Sequence, residues 1–240
     1  MWILKRYQEV KNNMNMNVNK KLSNIIFMAA FALFTWMWSD KYDGVITSVL
    51  GGIETESDII DILGLGKWLF LFAVYFLILN KMLVDNRKTL LFSLYRYRDF
   101  KSWWKQYFFR LHITMFLYYL ISCIVWYVIG VVTDNSSSHA VEIMIIFYMH
   151  LAMYFSIIAA ADRILNKSIM PCILILIEGV TYIISVQYRQ IVLTFGMYRR
   201  MALMDNKWFQ VIVPGIEFIV CWLCYFSVIR LWKKDKLELL

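Results

Sequence analysis

Polar and apolar positions along this chain are segregated into long blocks, with neither the two-residue alternation of half-buried strands nor a clean amphipathic helical stripe. Six apolar windows recur, at Leu22–Ser39, Trp68–Val84, Tyr107–Val132, Ala140–Ala161, Ile169–Val186 and Trp208–Trp232. Each approaches the roughly 17–25 residues that a helix needs to cross a bilayer. Within them apolar residues run nearly all the way around, so lipid-facing and helix-facing sides cannot be separated by hydrophobicity alone. The pattern predicts an all-α polytopic membrane protein, a single domain (1–240) with six transmembrane helices. The connections leave no room for a soluble domain.

Residues 2–10 place Trp2, Ile3, Tyr7 and Val10 near one helical face. That suits a short N-terminal interfacial helix within 1–21, with a frayed terminus as the alternative. Asn12–Asn19 reads as a polar connector. The first apolar window ends in Trp36-Met37-Trp38-Ser39-Asp40 without a small-residue cleavage site, so it reads as a retained helix. In the connection that follows, Gly51-Gly52 is turn-like, and Ile59–Leu65 is expected to rest on the membrane surface. Gly130, Gly179, Gly215 and Ala159–Ala161 are small positions where helices could approach closely. Pro171 lies near the start of the fifth window, whereas Pro214 lies inside the sixth and should kink it or leave backbone groups needing other partners.

Composition agrees with the pattern. Sixty-one per cent of residues are hydrophobic and eighteen per cent charged, against roughly half and a quarter in soluble domains. The net charge of +8 is unevenly distributed. With the N-terminus inside, segments 1–21, 81–110, 162–168 and 230–240 are cytoplasmic and hold nineteen of the twenty-five Lys and Arg residues. That positive-inside bias predicts a plasma-membrane protein with both termini cytoplasmic. The first outer connection, Asp40–Lys67, carries six carboxylates against two lysines. Membrane orientation thus accounts for the basic surplus, and no nucleic-acid partner is expected. Arg189, Arg199, Arg200 and Lys207 break the rule, either as an outer basic patch or as arginines snorkelling from short interfacial helices.

Candidate chemistry is sparse. Cys123, Cys172, Cys221 and Cys224 all fall in predicted spans, so no disulfide framework is implied, and Cys221-x-x-Cys224 lacks a second pair or a nearby histidine. Gly64-x-Gly66-Lys67 is not a phosphate loop, and Asn135-Ser136-Ser137 matches a glycosylation acceptor only as a short motif. No hydrolase constellation or metal motif emerges, and the chain is not expected to be an enzyme. Three ionisable residues lie deep in spans: His150, Glu178 and Glu217. A charged residue at mid-bilayer costs roughly 2.5–3.5 kcal/mol on insertion scales, so Glu178 should face the bundle. It reads either as a polar point on a substrate pathway or proton-linked site, or as a protonated carboxyl bonded to a neighbour such as Tyr182. His150 has no partner at helical spacing.

The densest polar block is Asn80–Arg110, with basic and aromatic residues interleaved through Tyr95-Arg96-Tyr97-Arg98-Asp99-Phe100-Lys101-Ser102-Trp103-Trp104-Lys105. Residues 88–110 suit a helix lying along the inner surface, as a plain anchor or as a grip for a partner. The order of features resembles the small permease subunits of bacterial ABC-2-type transporters associated with antimicrobial-peptide or lantibiotic export or immunity. The residues carrying the resemblance are the basic N-terminal stretch, Leu50-Gly51-Gly52, Leu91–Arg98, Trp103-Trp104-Lys105 and Leu231-Trp232-Lys233-Lys234-Asp235.

That resemblance implies a cytoplasmic coupling helix between the second and third spans, with Arg96, Arg98, Asp99, Lys101, Trp103 and Trp104 meeting an ATPase subunit. It also implies a second permease subunit, and short helices dipping back into the membrane between spans five and six. His150, Glu178 and Glu217 become candidate translocation-pathway residues. The chain has no Walker motif, so ATP and Mg would bind the partner subunit and no cofactor is expected in this chain. A non-transporting membrane sensor or immunity protein is the alternative.

Overall fold

The computed structural model describes residues 22–39, 44–52, 61–97, 99–165, 169–187, 196–199 and 209–231, with side chains described except at 88–97, 186–187 and 209–210. The expected interfacial helix within 1–21, the acidic run 53–60, Arg98, Arg189, Arg200, Lys207 and the basic tail lie outside the described residues. All regular structure among those described is helical: α1 (Leu22–Trp36), α2 (Val45–Leu50), α3 (Ile62–Tyr97), α4 (Phe100–Val132), α5 (Ala140–Leu165), α6 (Met170–Gln187) and α7 (Phe209–Leu231).

Four helical stretches are long and apolar enough to cross a membrane: Ile62–Arg87, Phe100–Val132, Ala140–Leu165 and Val211–Leu231. They make the chain compatible with a multi-pass membrane protein. Two of the six expected spans are shorter as apolar helices, Leu22–Trp36 and Met170–Ser185. Of the segment expected to rest on the membrane surface, Ile59–Leu65, the part Ile62–Leu65 forms the first turn of α3, and residues 59–60 lie outside the described residues. A separate helix over 88–110 is also absent among the described residues. α3 continues unbroken for 36 residues to Tyr97, about 54 Å at 1.5 Å per residue, and α4 starts three residues later. No proline interrupts this stretch. The break comes where the Asp99 carboxylate accepts from the Lys101 and Ser102 N–H groups, each at 3.2 Å, and caps α4. α7 runs through Pro214 without a break.

α5 is the central element. In its most apolar window 72% of residues are buried, against 22–44% in the other three long stretches. It packs most extensively on α7 and also touches α2, α3, α4 and α6. Ala159, Ala160 and Ala161 are all buried, as their small size suggested. The glycines divide: a methyl group on Gly179 would meet Leu69 of α3 at 3.4 Å, Gly130 instead faces the local Asn135 carbonyl, and Gly215 faces open space. α1 is tied to α4 by Trp126, whose indole N–H donates to the Thr35 hydroxyl (2.9 Å) and the Ala32 carbonyl (3.0 Å).

At the end where α4 turns into α5, α2 tucks into the bundle with Val45, Ile46, Val49 and Leu50 buried. Asn135 accepts from Val45 N–H at 3.1 Å, and the Ser137 hydroxyl from Thr47 N–H at 3.0 Å. Gly52, in the left-handed region at φ 87°, then lies against Met197, where any side chain would collide. The Arg199 N–H closes the contact on the Gly51 carbonyl at 2.9 Å. We call this the loop end. The opposite one, where α3 meets α4, is the hairpin end.

Candidate functional site

His150, Glu178 and Glu217, scattered over three predicted spans, meet at the centre of the bundle. His150 is wholly buried, Glu178 is 1% exposed and Glu217 2%. His150 Nδ1 lies 2.6 Å from Glu217 Oε1, and Nε2 lies 3.5 Å from Glu178 Oε2. α3 and α5 complete the shell. The Trp68 indole N–H donates to Glu178 Oε1 at 2.9 Å, and the Tyr154 hydroxyl donates to Glu178 Oε2. Phe72 packs edge-on against the imidazole, its ring centroid 5.8 Å away, and Trp68 packs on Phe147 at 5.3 Å.

The Gly196 backbone closes the shell: a methyl group there would lie 2.5 Å from the imidazole ring. Only glycine allows so close an approach. The segment 196–199 therefore reaches the core, its Met197 fully buried. Glu178 has both oxygens engaged, whereas Glu217 Oε2 and His150 Nε2 are buried with no hydrogen-bond partner among the described residues.

A second polar cluster lies nearer the hairpin end. The Arg87 guanidinium pairs with Asp162 Oδ1, and Arg163 Nε lies 3.6 Å from Asp162 Oδ2. Arg163 is only 6% exposed because two rings cover it. Trp103 and Tyr107, one helical turn apart on α4, stack with centroids 5.2 Å apart and planes 4° apart. The Arg163 guanidinium carbon lies 5.2 Å from each ring centre, a cation–π arrangement.

The residues expected to meet a partner thus divide. Trp103 roofs Arg163, and Trp104, fully buried, donates its indole N–H to the Tyr225 carbonyl of α7 at 3.1 Å. Neither presents its ring as a free surface. Lys101 and Asp99 are exposed. The Lys101 N–H, with help from Ser102, holds the Asp99 carboxyl below its ordinary range. Arg96 is in the last turn of α3, its side chain outside the described residues, and Arg98 lies outside them altogether.

Asp162, Arg163 and Arg87 were not singled out by sequence reasoning. The Asp-Arg pair closing an apolar run was the available signal. A third polar contact was also missed: His112 Nε2 lies 2.9 Å from the Ser156 hydroxyl, and its Nδ1 lies 3.0 Å from the Phe108 carbonyl. No group of three or more His, Cys, Asp or Glu side chains among the described residues is arranged to hold a metal ion.

Against this geometry, no family model, curated protein or solved structure matches the chain.

Proposed function

We propose that this chain is the membrane-spanning permease subunit of an ABC-2-type transporter, working in the plasma membrane with a second permease subunit and a separate ATPase. It would export a peptide or lipid-like antimicrobial substrate. The observation that carries this reading is the way the α3–α4 hairpin is rooted. A helix of about 54 Å exceeds the roughly 30 Å hydrocarbon core, so part of the hairpin projects beyond it. Its root is joined to the bundle by three contacts: Arg87 to Asp162, Trp103 over Arg163, and Trp104 to the Tyr225 carbonyl. The last two reach α5 and α7, the helices that carry His150 and Glu217. A push on the hairpin tip is thereby transmitted to the core helices.

In this reading Arg96, Arg98, Asp99 and Lys101 supply the polar tip that an ATPase would grip, while Trp103 and Trp104 transmit its motion. Substrate would pass along apolar faces between two copies, because His150, Glu178 and Glu217 are enclosed within one. The same filled core favours one second reading, a non-transporting membrane sensor or immunity protein that needs no path.

Purification of the tagged full-length chain from its native membrane separates the two. The permease reading expects a Walker-motif ATPase to co-purify, and charge reversal at Arg96, Arg98 and Lys101 together to release it. Trp104→Phe should keep that association but lower the ATP turnover of the complex, since the indole bond to α7 is lost. Absence of any Walker-motif subunit would overturn the proposal.

A further inference from the structure

We propose that His150, Glu178 and Glu217 form a proton-binding site that holds one proton on Glu217 Oε2. This inference does not depend on an ATPase partner. It starts from charge. Two carboxylates and one imidazole wholly inside an apolar bundle reach zero net charge only with at least one carboxyl protonated, either as one imidazolium, one carboxylate and one carboxyl or as three neutral groups.

Hydrogen bonding then separates the two glutamates. Glu178 accepts from two donors, the Trp68 N–H and the Tyr154 O–H, with His150 Nε2 3.5 Å away, which suits an acceptor-only carboxylate. Glu217 faces His150 Nδ1 with one oxygen, and its other oxygen has no partner among the described residues. That unused oxygen is the place for the proton. The groups facing Glu217 are His150 and Tyr154 from α5, Glu178 from α6 and Cys221 on α7 itself. α3 contributes Trp68 and Phe72, which do not titrate, and the 196–199 segment contributes the Gly196 backbone.

Toward the loop end, Gly196 fills the space beside the imidazole.

Infrared spectroscopy on the full-length chain in phosphatidylcholine vesicles at neutral pH tests this. The expected result is one buried protonated-carboxyl band, shifted by Glu217→Asp and left in place by Glu178→Asp. Because His150→Gln removes the imidazolium, both carboxylates then need protons and the band area should roughly double. Absence of the band, or a band that Glu178→Asp moves or that Glu217→Asp leaves unmoved, would overturn the site. Thermal unfolding of each variant confirms that the bundle is intact before its spectrum is read.

Discussion

Two clusters on the same helix, His150 and Arg163, lie thirteen residues or about 20 Å apart along α5, and they bury charge by opposite means. At His150, charge meets hydrogen-bonding groups from α3, α5, α6 and α7, with all three ionisable side chains enclosed. At Arg163, a cation lies under two stacked rings, beside an aspartate shared with a half-buried Arg87. The first cluster depends on which groups carry protons. The second depends on ring geometry instead. The first therefore suits a site that changes state, the second a fixed joint.

The contrast can be broken most forcefully at the joint. Asp162→Ala removes the one carboxylate shared by Arg87 and the buried Arg163, and should cost about 3–5 kcal/mol. Unfolding of the full chain in detergent measures it, and a loss below about 1 kcal/mol would mean that the rings alone hold Arg163.

A smaller effect is expected where the central cluster is closed. Gly196→Ala drives a methyl group into the His150 ring and should cost about 1–3 kcal/mol by overpacking. Gly215→Ala, on α7 where nothing lies within 4 Å, is the control and should be neutral or stabilising. Equal effects at the two glycines would remove the argument for a tight lid.

The smallest effect belongs to Asp99, at the tip of the hairpin. Its folded-state value lies below the ordinary 3.8. The cap therefore stabilises α4 above that pH and loses its effect as pH falls through the lower folded value. The difference in melting temperature between wild type and Asp99→Ala should shrink on acidification below about 4. A difference that persists unchanged there would show that the carboxylate charge is not what caps the helix.

Helix positions in the sequence were legible wherever the apolar run was long. α5 begins at Ala140 as expected and ends four residues beyond the expected Ala161. The ends of α3 were not, because a basic, aromatic-rich stretch continues a helix as readily as an apolar one, and charge marks an interface without marking a break. His150, Glu178 and Glu217 stood out individually because each is costly in an apolar span. That they are partners could not be read, since they come from three helices and share no spacing. Trp103 and Trp104 show the opposite limit. Their place among basic residues suggested an exposed grip, and only tertiary packing reveals that one covers Arg163 and the other reaches Tyr225.

The bond between His150 and Glu217 joins residues 67 positions apart, in the central helix and in the last one described. For a chain inserted helix by helix during synthesis, that order sets a timetable. In such a chain α5 would enter the bilayer with its histidine before its acidic neighbours exist. Glu178 follows with α6, and Glu217 comes only with α7. Until then the nascent bundle holds an incomplete polar centre, at a cost comparable to roughly 2.5–3.5 kcal/mol for a charged residue in lipid. Retention beside the insertion machinery would keep α5 from lipid during that interval. Chains ending before Glu217 should remain bound there, marked for quality control by a missing carboxylate.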